Sequence, residues 1–166
     1  RASETDDIEA MNNLIEWLPK NIPDDDETSI VHGDYRLDNM ILKDNQVMGI
    51  LDWELSTLGH PIADFSYHCL SWRTQEAFWD QSKLKELGIP NEREYMDMYC
   101  ENTGKDLSKN WEFYMAFNMF KIAGILQGIL GRVRDGTASS KHAEDRGMMV
   151  YPLSEAAWNT IKENLL

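Results

Sequence analysis

Cysteine is scarce in this sequence. Cys69 and Cys100 are the only two among 166 residues, and no C-x-x-C spacing occurs. A disulfide framework and a zinc site of paired cysteines are therefore excluded, because both need clustered cysteines. Two isolated thiols are instead typical of a protein kept in a reducing compartment such as the cytoplasm.

Basic residues are also few. The chain has 16 Lys and Arg against 29 Asp and Glu, a formal net charge of −13 at pH 7. More than half of this excess lies in residues 1–30, which hold nine acidic and two basic residues. The acidic run at residues 24–27 is typical of a solvated loop. Nucleic acid is not expected as a partner, because neutralising its phosphates requires clustered Lys and Arg.

Long uninterrupted apolar runs are absent as well. Residues 1–16 are acidic and contain no apolar segment of the kind that signal peptides carry, so no signal peptide is expected. The most apolar stretch, residues 113–133, contains Asn118, Lys121 and Gln127 in its middle. It is interpreted as a buried helix rather than a membrane span, and no membrane partner is expected.

The spacing of apolar residues predicts an α+β chain that is mainly α, with a small antiparallel β-hairpin near its front. With no linker or repeat, a single domain over residues 1–166 is expected. The expected elements are a helix over residues 5–18, a strand at Ser29–Val31, a hairpin of 40–42 with 47–51, a helix from Pro61, a helix over 83–87 closed by Gly88, a helix opened by an Asn91–Glu94 capping box, a long helix from Ser108 to about Arg134, and a helical region over 144–166 interrupted near Pro152.

The stretch IVHGDYRLDNMIL, residues 30–42, places several polar side chains between two apolar runs. An antiparallel hairpin with its turn at Asn45-Gln46 pairs residues whose numbers sum to 91, which predicts that Asn39 faces Asp52. Directly opposed residues have Cα atoms roughly 4.5 to 5.5 Å apart. An amide oxygen and a carboxylate would then lie side by side, and both are ligands that Mg²⁺ accepts. Taken singly, each residue fits the structural role of a hairpin flank better than a catalytic role.

Three segments carry a resemblance to a known family. Residues 32–39, HGDYRLDN, fit the H-x-D-x-x-x-x-N catalytic loop of protein kinases and related phosphotransferases. With Gly after His, this loop resembles the aminoglycoside phosphotransferase and choline kinase-like branch. Residues 50–54, ILDWE, resemble that branch's metal-binding strand end, and residues 59–64, GHPIAD, resemble its G-x-P-x-x-D segment. Over nearly its whole length the chain resembles the phosphotransferase-like domain that is fused ahead of acyl-CoA dehydrogenase modules.

The resemblance implies the C-terminal lobe of a protein kinase-like fold and a reaction that moves a phosphoryl group from Mg-ATP to a small-molecule hydroxyl. Asp34 would accept or orient the proton of that hydroxyl. Asn39 and Asp52 would hold Mg²⁺ against the ATP phosphates. Arg36 would offset charge on the transferred group, or form a surface ion pair with Asp38.

Further residues are given supporting roles by the same resemblance. His32, grouped with Asp34 and Arg36 as a catalytic residue, is expected to brace the loop rather than to titrate in the reaction. Asp64 is expected to support the loop through hydrogen bonds. Glu54 would either reach a second metal ion or face solvent. An aromatic set is expected mostly in the core, with one or two members lining an acceptor pocket: Trp53, Trp72, Phe78, Trp79, Trp111, Phe113, Tyr114 and Phe117.

The parts that would cover the nucleotide are not found in the sequence. A kinase-like enzyme needs a second lobe that covers the phosphates and supplies a lysine held by a glutamate. No Gly-rich loop and no strand-borne lysine precede Ser29. The N-terminal lobe of the same polypeptide is therefore an expected partner, and this chain alone is expected to be a poor kinase.

Two other functions stay open. One is a non-catalytic, kinase-like binding module. This function is disfavoured because such a module would not need the intact Asp34, Asn39 and Asp52. The other is a metal-dependent hydrolase using His32, Asp34, Asp52 and His60, which lacks a compact histidine cluster. The acceptor is not evident from the residues, although the dehydrogenase resemblance suggests by analogy a hydroxylated acyl compound. The expected location is the cytoplasm, or an organelle if the chain is part of a eukaryotic fusion.

Overall fold

The computed structural model describes residues 5–25, 27–74 and 81–162, and the predicted class, mainly α with small antiparallel sheets, is confirmed. The chain divides into two compact units, which we call the site unit (24–114) and the terminal unit (1–23 with 115–166). The prediction of a single domain stays a prediction. The elements are α1 (Glu9–Trp17), β1 (Ser29–Val31), β2 (Met40–Lys43), β3 (Gln46–Ile50), β4 (Thr57–Gly59), α2 (Pro61–Cys69), α3 (Gln81–Glu86), α4 (Glu92–Thr103), α5 (Trp111–Arg134), α6 (Ala143–Met148) and α7 (Val150–Lys162), with 3₁₀ turns at Leu18–Lys20, Leu37–Asn39, Trp53–Leu55 and Leu70–Trp72.

The described strands of the site unit form two separate antiparallel pairs. β1 pairs with β4, a strand that the sequence did not predict, and β2 pairs with β3 as the expected hairpin. The predicted register of this hairpin was wrong. Its turn is Asp44-Asn45, both with left-handed backbone (φ 51° and 59°), because Asx residues tolerate that conformation.

The turn and a bulge together set which residues face each other beyond the hairpin. Lys43 pairs with Gln46 next to the turn, and a bulge after Ile41 shifts the register so that Met40 pairs with Ile50. Asn39 therefore lies opposite Leu51, whose N–H donates to the Asn39 carbonyl at 2.8 Å. Asp52, predicted to face Asn39, instead lies one residue beyond the position opposite Asn39.

The helix starts of the site unit follow local sequence signals. α2 begins at Pro61, where a missing N–H costs nothing, and the His60 ring accepts from the Ile62 N–H. α4 begins with the predicted capping box, in which Asn91 and Glu94 each accept the other's backbone N–H. It ends at Gly104, whose φ is +72°.

In the terminal unit α1 packs against α7. The Asp6 carboxylate accepts hydrogen bonds from Arg134 on α5 and from the Tyr151 hydroxyl on α7. The predicted interruption near Pro152 is present, and it falls at Met149. Pro152 lies in the first turn of α7, where proline is tolerated.

The long helix α5 begins at Trp111 rather than at Ser108. Its length and composition would suffice to cross a membrane, a test that core helices of soluble proteins also pass. Asn118 and Gln127 are buried along it, and the Gln127 side chain donates to the Asp6 carbonyl. Such satisfied polar groups are typical of a core helix.

Only part of the expected aromatic core is buried. Trp111 and Tyr114 are buried, and Trp72 and Phe113 are half-buried. Trp53 and Phe117 are exposed, so the described members of the set lie mostly, but not all, in the core. Phe78 and Trp79 lie outside the described residues.

Candidate functional site

The polar loop of residues 32–39 lies between β1 and β2 in the site unit. Gly33 has a φ of +84°, and a Cβ atom there would lie 2.5 Å from the Leu55 carbonyl oxygen. Asp64, from the first turn of α2, accepts the backbone N–H groups of His32 and Gly33. The start of the loop is thus held by one carboxylate, which leaves the following residues in a defined position.

His32 is buried, and both of its ring nitrogens are engaged. Nε2 lies 2.7 Å from the Leu51 carbonyl oxygen, and Nδ1 accepts the Asp34 N–H at 3.2 Å. Because a carbonyl can only accept, Nε2 acts as the donor in this contact, while Nδ1 is the acceptor. The ring therefore joins the loop to the end of β3 and has no nitrogen left for a metal ion.

The Asp34 carboxylate is held at both oxygens. Oδ1 accepts from the Tyr67 hydroxyl at 2.6 Å, and Oδ2 accepts from the Asn39 amide at 2.9 Å. The Arg36 Nε lies 3.4 Å from Oδ2, and the Asp34 side chain keeps 21% of its surface exposed. Burial alone would raise the pKa of Asp34, but the hydrogen bonds from Tyr67 and Asn39 and the charge of Arg36 outweigh it and lower the pKa below its ordinary value. Asp34 is consequently an ionised, partly accessible carboxylate at neutral pH.

Asn39 and Asp52 lie at the end of the hairpin. The buried Asn39 amide nitrogen donates to the Asp34 carbonyl and carboxylate, which leaves the amide oxygen available to a ligand. Asp52 directly follows the backbone contact between Leu51 and Asn39. It is exposed and has a φ of +63°, so the chain turns sharply at this residue. An amide oxygen and a carboxylate suit the chemistry of Mg²⁺, which prefers hard oxygen donors.

Arg36 and Glu54 occupy more open positions. The half-exposed Arg36 lies between two carboxylates, with Nη1 3.6 Å from Asp38 and Nε close to Asp34, so the surface ion pair and the contact with the site coexist. Glu54 is exposed in the 3₁₀ turn that follows Asp52. Both side chains have room to turn toward a bound ligand.

The hydrolase alternative finds little support in the histidines. His60 accepts the Ile62 N–H through Nδ1, and its Nε2 lies 3.1 Å from Asp25. Both ring nitrogens of His32 and the Nδ1 atom of His60 are thus engaged by the protein. Across the described residues, no group of three or more His, Cys, Asp and Glu side chains is placed to hold a metal ion.

Tyr67 is a site residue that sequence reasoning missed. Its hydroxyl reaches Asp34 across 33 positions of sequence. Residues three apart on a helix share a face, so the position of Tyr67 three residues after Asp64 was a signal that could have identified it.

A cavity of about 420 Å³ adjoins the loop, and among the described residues its lining includes none of the aromatic set that was expected to line an acceptor pocket. Its walls include Tyr35, the neighbour of Asp34, together with Asp64 and Phe65 of α2. Tyr95 and Tyr99 of α4 complete an aromatic lining. This is a concave, mainly apolar space of the size in which small molecules bind.

A family model and a solved structure both point to phosphotransferases, and the curated relatives are named as acyl-CoA dehydrogenase family members. The model of the phosphotransferase enzyme family matches residues 1–99, more than half of the chain. The chain is 45% identical to mouse acyl-CoA dehydrogenase family member 10, over 96% of this chain and 16% of that protein. It is 40% identical to human acyl-CoA dehydrogenase family member 11, over 93% of this chain and 21% of that protein.

A solved structure adds a match in three dimensions. The crystal structure of a Ralstonia eutropha protein named as an aminoglycoside phosphotransferase has a TM-score of 0.88 and 49% sequence identity. The match covers 98% of this chain and 51% of that one. The chain thus spans about half of the solved relative and about a fifth of the two dehydrogenase relatives.

Proposed function

The chain belongs to the phosphotransferase enzyme family, and on that premise we propose that it is the C-terminal catalytic lobe of an enzyme that transfers the γ-phosphoryl group of Mg-ATP to a hydroxyl of a small molecule. The observation that carries the proposal is the state of Asp34. Its carboxylate is ionised, partly exposed and fixed by Tyr67 and Asn39. A carboxylate so held is suited to accept or orient the proton of an attacking hydroxyl.

The residues that would hold Mg²⁺ are Asn39, through its amide oxygen, and Asp52, through its carboxylate. Two oxygen donors from the protein are typical of Mg²⁺ sites, in which waters and phosphates complete the shell. When bound with ATP, the ion would neutralise negative charge on the phosphates. Glu54, in the exposed turn after Asp52, is our candidate ligand for a second ion.

Arg36 supplies the positive charge nearest to the proposed base. Its guanidinium is half-exposed beside Asp34 and Asp38. Because it is not buried, it can turn toward a phosphoryl group. A guanidinium placed there would stabilise the negative charge spread over the transferred oxygens.

We also propose that an N-terminal lobe outside this chain covers the nucleotide. Four large apolar side chains of the β2–β3 hairpin, Ile41, Leu42, Val47 and Met48, are about half exposed or more. Exposed apolar side chains gathered on one hairpin are typical of a surface that another part of a protein covers. The match to only half of the solved relative is consistent with a lobe of similar size.

The test uses the polypeptide that carries both lobes. Hydroxylated metabolites are screened with labelled ATP and Mg²⁺, and the best acceptor is compared between the wild type, Asp34→Asn and Asp44→Asn. Removing the base should lower the transfer rate roughly 10²- to 10⁴-fold. Asp44→Asn makes the same chemical change in the exposed hairpin turn and should leave the rate unchanged.

Two outcomes would count against the proposal. Equal transfer by the Asp34→Asn variant would show that Asp34 is not the base. Absence of transfer from ATP to any acceptor by the wild type would favour the non-catalytic binding module.

A further inference from the structure

Tyr67 connects α2 to the carboxylate that we propose as the base. Its hydroxyl donates to Asp34 Oδ1, while Asn39 donates to the other oxygen. A carboxylate bonded at each oxygen by a donor from a different element is fixed in rotation about its Cβ–Cγ bond. The lone pairs of Asp34 therefore point in directions that Tyr67 and Asn39 determine together.

Tyr67 and Asp64 make α2 a two-point support for the loop. Asp64 holds the backbone at His32 and Gly33, ahead of the proposed base. Tyr67 lies about one helical turn further along and holds the side chain of Asp34 itself. The position of the carboxylate is thus fixed by contacts with a helix and not by the loop alone.

The hydroxyl of Tyr67 acts as a donor over the range in which enzymes work. Burial raises the pKa of Tyr67 well above its ordinary value, and the hydrogen bond to Asp34 raises it further. The proton consequently stays on the phenol, and Tyr67 does not compete with Asp34 as a base.

We propose that Tyr67 is a positioning residue for phosphoryl transfer, one whose hydroxyl, through its hydrogen bond to Oδ1, holds the Asp34 carboxylate oriented toward the attacking hydroxyl. This inference rests on the proposed function. The loose transition state of phosphoryl transfer requires little deprotonation of the nucleophile before the bond to phosphorus forms. Orientation of Asp34 then matters more than its basicity, and additional donors on the carboxylate are compatible with catalysis.

Tyr67→Phe in the two-lobed polypeptide tests the role, because it keeps the ring and removes only the donor. The turnover number should fall roughly 10- to 100-fold, while KM for the acceptor stays within about threefold. The hydrogen bond lowers the pKa of Asp34, so its loss raises that pKa. The acid limb of the rate profile should therefore move to higher pH.

The matched control is Tyr151→Phe, which removes a tyrosine-to-aspartate hydrogen bond in the terminal unit. It should change neither the turnover number nor the acid limb. A ¹³C NMR titration of the Asp34 carboxyl, assigned through Asp34→Asn, gives a readout without turnover. Tyr67→Phe should raise the titration midpoint, and Tyr151→Phe should leave it in place.

The outcomes separate the two proposals. If Asp34→Asn is inactive but Tyr67→Phe matches the wild type in turnover and in midpoint, only the role of Tyr67 is overturned. If the wild type transfers no phosphoryl group, the proposed function fails and the positioning role fails with it, whatever the titration shows.

Discussion

Gly33 lies between His32 and Asp34, where the backbone φ is +84° and the Leu55 carbonyl oxygen approaches closely. A side chain at this position meets two separate obstacles. The left-handed conformation disfavours any L residue by roughly 1–2 kcal/mol. A Cβ atom would also lie 2.5 Å from a backbone oxygen, which cannot move without shifting the Trp53–Leu55 turn. The shape of the loop of residues 32–39 thus depends on a residue that takes no part in the proposed chemistry.

We predict that Gly33→Ala destabilises the protein by about 2–4 kcal/mol, because strain and clash add. The control is Gly104→Ala in the same unit, where φ is +72° but no atom lies within 4 Å of the added Cβ. That change should cost only about 1 kcal/mol, the conformational part alone. Urea unfolding of both variants measures the difference. Equal losses would mean that the Leu55 carbonyl moves aside without cost.

At the scale of the element, the β2–β3 hairpin determines which residues reach the proposed metal site. Its two-residue turn has left-handed backbone at both Asp44 and Asn45, the geometry that matches the twist of paired strands. With the bulge that follows, this turn sets Leu51 opposite Asn39 and makes Asp52 the next residue. A different turn would move every side chain beyond it.

We predict opposite effects for two substitutions at the second turn residue. Asn45→Gly should stabilise the protein by about 0.5–1 kcal/mol, because glycine adopts a positive φ without steric cost. Asn45→Val should destabilise it by about 1–2 kcal/mol, since a β-branched side chain fits a left-handed backbone poorly. Thermal unfolding of the pair provides the measurement. Stability changes of the same sign in both variants would contradict the turn geometry.

At the scale of the whole molecule, the proposed catalytic residues all belong to the site unit, residues 24–114. The terminal unit is joined internally by the packing of α1 on α7 and by Asp6, which accepts from Arg134 and Tyr151. The hairpin surface carrying Ile41 and Met48 stays exposed. The structure thus holds a proposed base and candidate metal ligands, while cover for a nucleotide is proposed to come from another lobe.

We predict that the isolated 166-residue chain transfers phosphoryl groups at least about 10³-fold more slowly than the two-lobed polypeptide, because positioning of the phosphates dominates this chemistry. Mg²⁺-dependent ATP turnover, measured for both, tests the prediction. The Asp34→Asn variant of the two-lobed form sets the background rate. Steady turnover by the isolated chain with ordinary metal dependence would contradict the need for a second lobe.

Local patterns in the sequence were enough to predict the mainly α class, the Asn91–Glu94 capping box and the existence of the hairpin. Each of these depends on residues only a few positions apart, so the sequence contains the whole signal. The spacing within residues 32–39 likewise identified the loop as a unit. Family resemblance, rather than periodicity, then indicated the roles of Asp34 and Asp64.

Only the tertiary structure decided what depends on distant residues or on backbone detail. The pairing of β1 with β4 and the contact of Tyr67 with Asp34 join residues about 30 positions apart, which no local pattern encodes. The prediction of the hairpin register was wrong because the same apolar runs are compatible with a turn at Asn45-Gln46 and with a turn at Asp44-Asn45. The left-handed backbone at Asp44-Asn45 and a bulge determine the register in the folded protein. This register places Asp52 beside the Asn39–Leu51 contact.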